Sequence, residues 1–189
     1  MTRWTQKLMR EVAQEEREAL GLAGGDRLDP YRLADEHGIP VYTLSELREW
    51  ELTDVAHQHF FENTKGIWSA ALVPLGRSRV IIENDAHAEV RRRASIAHEL
   101  GHHLLEHAFE GLLLGADHSR VLDATKEKEA TFVAGELLVP EAAARKAAFA
   151  KWTNLQVARA FGVSEQFAQM QMKGPRVIAS RAGRKQLGA

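Results

Sequence analysis

The chain has 189 residues, 44% hydrophobic and 27% charged, proportions that suit one globular domain with a proper core and exclude a low-complexity or disordered polypeptide. It contains no cysteine, which rules out a disulfide framework, a thiolate nucleophile and a cysteine-type zinc site, so any metal has to rest on His, Asp and Glu. The net charge of −1 hides an asymmetry: residues 151–189 carry seven basic side chains against the single acid Glu165, a net of +6 that leaves −7 for the rest. Such a segment attracts nucleic acid or an acidic partner, or is simply a solvated surface.

Residues 4–20 set Trp4, Leu8, Val12, Ala19 and Leu20 among charges, an amphipathic helix that Gly21 and Gly24-Gly25 bring to an end. Asp29 and Pro30 suit the cap and first position of a second helix, with Gly38 as its stop before Ile39-Pro40. Val41 to Leu44 then reads as a short strand. Three further runs, 56–62, 67–73 and 79–83, are rich in aromatic or branched residues and are separated by 63–66 and by Pro74-Leu75-Gly76, links short enough for antiparallel hairpins. From about Ala86 the pattern turns helical, over 88–107, 123–138, 140–149, 153–161 and 164–173, with a glycine-containing loop at 111–118.

This order predicts an α+β fold with a small, mostly antiparallel sheet. The expected division is a catalytic domain over 1–150 and a basic helical subdomain over 151–189. No apolar run approaches the roughly 20 residues of a membrane span, and the chain starts on a charged helix, so a cytoplasmic protein with no membrane contact is expected.

The chemistry is carried by His98-Glu99-Leu100-Gly101-His102, the H-E-x-x-H pattern that sets two imidazoles one helical turn apart on one face. Both can reach one ion. Zinc favours such nitrogen donors, and Glu99, between them, is placed to take a proton from water attacking a carbonyl. At about 100° per residue, Ile96, Ala97, Leu100, Leu104 and Leu105 gather on one side of the helix, while His98 and His102 project from the other flank, as in a cleft lining. His103 and His107 are expected to be solvated or to stand behind the ligands. A third ligand has to come from elsewhere, and the helix over 123–138 offers Asp123, Glu127, Glu129 and Glu136.

Taken with Ile96-Ala97 before this motif and Glu127-Lys128-Glu129-Ala130-Thr131 through Leu137-Leu138-Val139-Pro140 after it, the chain resembles the ImmA/IrrE family of metallopeptidases. The likeness extends to Arg91 and Arg93, Gly66 and Ser69, Asp29-Pro30 and Gly38-Ile39-Pro40-Val41. Thr131 and Val133 depart from it, standing where the family commonly has Asn and an aromatic residue. The resemblance implies a minimal zincin-like domain with an active-site H-E-x-x-H helix. It also implies a zinc endopeptidase inside the cell, often one that cuts a helix-turn-helix repressor and so releases stress or mobile-element genes.

Counting back from Pro140 puts the family's metal-binding glutamate on Glu127, and helical phase agrees. With Ala130, Val133, Ala134, Leu137 and Leu138 defining the buried face, Glu127 falls roughly 50° from its centre, whereas Glu129 falls roughly 110° away, toward solvent. The expected site is therefore His98, His102 and Glu127 on zinc, with Glu99 as general base; manganese or iron also suits mixed His and carboxylate donors. Tyr31, Tyr42, His57 and His59 are the candidates for stabilising an oxyanion.

The segment Leu155 to Ser164, followed by Ala168 and Met172, resembles a helix-turn-helix, with Gly162 at the turn and Ser164 as cap. Its second helix offers only glutamines for base readout, so any DNA binding is expected to be weak. The rival to a peptidase is a metal-stabilised DNA- or protein-binding regulatory module without proteolytic activity, whose closed site would need a fourth protein ligand.

Overall fold

The computed structural model describes residues 4–49, 68–107 and 123–187, and among these the chain is an α+β protein of eight helices and a three-stranded sheet. The run 56–62, His57, His59, Gly66 and the loop 111–118 lie outside the described residues. Helix α1 (Gln6–Ala19) is capped by Thr5, whose side chain accepts from Leu8 N, and α2 (Pro30–Glu36) by Asp29, which accepts from Tyr31 N at 3.1 Å. Gly38, at φ 63°, turns the chain out of α2 into β1 (Val41–Thr43), followed by α3 (Leu44–Glu49).

Strands β2 (Ala70–Leu75) and β3 (Ser78–Glu83) form an antiparallel hairpin around Gly76, which holds φ 61° at the tight connection. Pro74-Leu75, expected as part of the link, belong to the strand. Leu72 N–H turns away from β3, so by alternation the missing N–H of Pro74 falls on the same outer side, where proline is tolerated. The sheet order is β1-β3-β2, and β1 runs parallel to β3. The sheet is thus mixed, against the mostly antiparallel arrangement expected. The expectation rested on short hairpin links, whereas β1 is followed by a helix that carries the chain away before it returns to the sheet.

Helices α4 (Glu89–Leu104) and α5 (Ala124–Leu138) pack against each other and supply the centre of the core: Ile96, Ala97 and Leu100 from the first, Val133, Ala134, Leu137 and Leu138 from the second. Leu72 and Ile81 of the sheet and Met9 and Ala13 of α1 close over them. Each fully buried leucine or isoleucine contributes about 1.5–3 kcal/mol. The polypeptide continues through α6 (Glu141–Phe149), α7 (Asn154–Phe161) and α8 (Glu165–Leu187). Thr153 and Gln156 form a capping box for α7, and Gly162 ends it in the left-handed region. The last helix was expected to stop at residue 173, but it runs through Pro175, where the chain forgoes one helical N–H without leaving the helix.

Buried polar groups tie these layers together. Arg93 donates through Nε to Gly162 O at 2.9 Å and through Nη2 to Leu28 O at 2.6 Å, fastening α4 to the turn between α7 and α8. Glu83, 1% exposed, accepts from Arg92 Nε and Nη2 at 3.0 and 2.5 Å and from the Tyr31 hydroxyl at 2.9 Å.

Burial, followed by the Glu83 bond, pushes Tyr31 up to about 12. Because the folded value lies above the unfolded one of about 10, the stability tied to the neutral phenol is complete below about pH 10 and is lost as pH rises through 12. The stability advantage of the wild type over Tyr31→Phe, read by urea unfolding, should therefore shrink across that window. An advantage unchanged at alkaline pH would contradict this.

Candidate metal centre

His98, Glu99 and His102 lie on α4, so the i, i+4 spacing aims both imidazoles the same way. The flank they occupy is not the open cleft wall that the sequence suggested. Helix α5 crosses it, leaving His102 3% exposed while His98 stays partly open, and Glu99, 4% exposed, is buried against β2. The crossing is close because residue 101 is glycine: a Cβ there would lie 2.7 Å from Ala130 O and 3.0 Å from Ala130 Cα. Gly101→Ala should push the helices apart, with a stability loss of about 1–3 kcal/mol. It should also weaken metal binding, since His98 and His102 ride on one helix and Glu127 on the other. Urea unfolding and a zinc titration of the variant check both effects.

Glu127, in the first turn of α5, brings Oε2 to 3.2 Å from His98 Nε2 and Oε1 to 3.3 Å from His102 Nε2; the two Nε2 atoms are themselves 3.2 Å apart. Together His98, His102 and Glu127 make a group that can hold a metal ion. The spacing fits one. Zinc sits about 2.0–2.1 Å from such donors, and a tetrahedral ion at that range separates them by about 3.3 Å.

Glu99 has its Oε2 fixed by Leu72 N–H at 2.8 Å. The motif glutamate is thereby anchored to β2, a strand paired on its other side with β3.

Behind the histidines the structure corrects the sequence reading. His107, 5% exposed, takes the second of its two expected places, behind His102, with Nδ1 3.0 Å from His102 Nδ1 and Nε2 3.1 Å from Glu129 Oε2. Glu129 therefore faces inward to His107 and not to solvent. The reason is local: α4 was expected to reach residue 107 but ends at Leu104. Glu106 N bonds His103 O and His107 N bonds His102 O, a Schellman cap with Glu106 at φ 51° in the position glycine usually takes. That reversal swings His107 back beneath His102. With no glycine to mark it, the cap left no trace in the sequence pattern.

His103 points elsewhere, accepting through Nδ1 from Arg79 Nη1 at 2.9 Å and packing edge-on to His37. Burial, and then the Arg79 cation, hold its pKa below the usual histidine value. Thr131 Oγ1 donates to Glu127 O at 2.7 Å and lies 3.5 Å from His98 Nδ1. Of the oxyanion candidates, Tyr31 is committed to Glu83, outside the donor group. Asp123 caps α5 by accepting from Thr125 N and Lys126 N, and these bonds hold its carboxyl below the usual range. Glu136 accepts from Arg10 Nε at 3.3 Å and from Glu141 N at 3.0 Å. Neither belongs to the donor triangle.

Two histidines on one helix, met by a glutamate from the next within a small α+β fold, form a metal-binding group of the kind that metallopeptidase-like hydrolases use. The chain belongs to the peptidase family described as the IrrE N-terminal-like domain, whose family model matches residues 34–173. The comparison with individual curated proteins gave no match. No helix among the described residues is long and apolar enough to cross a membrane.

Proposed function

We propose that this protein is a zinc-dependent endopeptidase that hydrolyses one peptide bond in a specific cytoplasmic protein, a helix-turn-helix transcriptional repressor whose loss releases stress or mobile-element genes. The observation that carries this reading is the triangle of His98, His102 and Glu127 donors beside the buried Glu99. Three protein donors suit a catalytic site, whereas a structural zinc takes four, and among the described residues only three converge. Two nitrogens and one carboxylate favour zinc, although manganese or iron tolerates the same set.

When bound, zinc supplies Lewis-acid polarisation of the scissile carbonyl and makes water more acidic. Glu99, steadied through Oε2 by Leu72 N–H, takes a proton on its carboxylate as the water oxygen bonds to the carbonyl carbon. It then hands that proton to the amide nitrogen as the C–N bond breaks, leaving a carboxylate and an amine. The substrate is expected as an extended segment alongside β2, where the outward carbonyls of the strand accept from its N–H groups, since Leu72 N–H is held by Glu99 and Pro74 has none, and alternate side chains give specificity. The repressor as substrate rests on the family likeness. The basic side chains Arg176, Arg181 and Arg184 on α8 support a second reading, a DNA- or protein-binding module without proteolysis, which the count of three donors disfavours.

The test is Glu99→Gln. The variant should keep zinc near wild-type content while cleavage of a candidate repressor, followed by mass spectrometry, falls by about 10²–10⁴-fold. Undiminished cleavage would remove Glu99 from the reaction, and cleavage that survives full metal extraction would remove the metal.

A further inference from the structure

Helix α5 does more than contribute a donor. Glu129 Oε2, His107 Nε2, His107 Nδ1 and His102 Nδ1 form an unbroken chain of contacts, 3.1 Å and 3.0 Å at its two links, that ends on the ring whose Nε2 faces Glu127 and His98. His107 and His102 are both buried. The direction of the protons along this chain follows from donor and acceptor chemistry. A carboxylate only accepts, so the proton between Glu129 and His107 belongs to His107 Nε2. A neutral imidazole carries one N–H, so His107 Nδ1 is then a lone pair and has to receive from His102 Nδ1–H. His102 is left with its lone pair on Nε2, the nitrogen in the donor triangle.

From this geometry we infer that Glu129 and His107 are positioning residues that lock His102 in its metal-ligating tautomer and hold its ring plane in place. The inference rests on the metallopeptidase reading and deepens it. A histidine ligand whose outer N–H is given to a carboxylate directly is a common device in metal sites. Here the carboxylate is one ring further away, and His107 reaches its place only because the Schellman turn at Glu106 folds it under His102. Glu127 and Glu129 thus act on the same site from one helix, the first on the metal side of the histidines and the second from behind.

The inference is tested by zinc affinity, from competition with a chromophoric chelator, and by the visible spectrum of the cobalt(II)-substituted protein. Glu129→Ala and His107→Phe should each weaken zinc about 10–100-fold and alter the cobalt bands. Glu129→Gln, which keeps an oxygen acceptor for His107 Nε2–H, should recover most of the affinity. Because the two groups act along one chain, combining His107→Phe with Glu129→Ala should cost no more than His107→Phe alone. Affinities within threefold of wild type and unchanged cobalt bands in Glu129→Ala would overturn the inference, while zinc binding to wild type and its loss in Glu127→Ala would leave the peptidase reading standing. Failure of the wild type to bind zinc at all would instead overturn that reading and this inference with it. Should His107→Phe fail to fold, the comparison of Glu129→Gln with Glu129→Ala still decides, since equal affinities in those two variants would also overturn it.

Discussion

Glu127→Ala is expected to abolish cleavage and to lower zinc affinity by more than the about 10–100-fold that loss of a supporting group behind a ligand costs. The carboxylate stands 3.2 and 3.3 Å from the two Nε2 atoms and is the only acid in the donor group. Its removal leaves two imidazoles, one fewer donor than catalytic zinc sites use. The fold should survive, since the side chain is partly exposed and the helix keeps its Asp123 cap, which accepts from Thr125 N at 2.8 Å. Lys128→Ala, one residue along on the exposed side of α5, provides the control and should retain metal. Metal analysis on both purified variants checks this. Wild-type metal content in Glu127→Ala would take the glutamate out of the site.

Arg92→Ala should be the most destabilising of the surface-reaching substitutions, by about 3–5 kcal/mol, because it strips the two-pronged partner from a carboxylate that cannot reach water. Glu83 is 1% exposed and sits at the end of β3, where its backbone pairs with Thr43 and Ala70 of the flanking strands. Arg92 is itself about a quarter exposed, so solvent moderates the effect toward the lower end of that range. Tyr31 still donates to Glu83 in the variant, but one neutral hydroxyl does not replace two charge-assisted bonds. The contrast is the double variant Arg92→Met with Glu83→Leu, which removes both charges and should recover most of the loss. Urea unfolding of the three proteins measures it. A single variant as stable as wild type would show that the pair contributes nothing to holding the sheet against α2 and α4.

The sequence by itself determined whatever depends on short spacing. The H-E-x-x-H interval aims His98 and His102 together because a helix turns about 100° per residue, and Asp29-Pro30 starts a helix because the Asp29 side chain satisfies the N–H two residues on. The same arithmetic placed Glu127 nearer the packed face than Glu129. Phase along one helix is a local quantity, however, and it says nothing of what the neighbouring element brings up to that face. Glu129 was assigned to solvent because the partner it meets, His107, is 22 residues away and arrives through a helix end that no glycine announces. The parallel pairing of β1 with β3 joins residues 40 positions apart, across a crossover whose sense is set by packing and not by any turn motif. The close approach of α4 and α5 at Gly101 is likewise a fact about two backbones, and it explains why a glycine stands inside the helix that carries the histidines. The grouping of His98, His102 and Glu127 was legible because the two histidines follow the helical repeat and Glu127 follows both that repeat and the family likeness. The contact of Glu129 with His107, the burial of Glu99 against β2 and the mixed sheet belonged to the tertiary structure alone, because each depends on where distant segments cross.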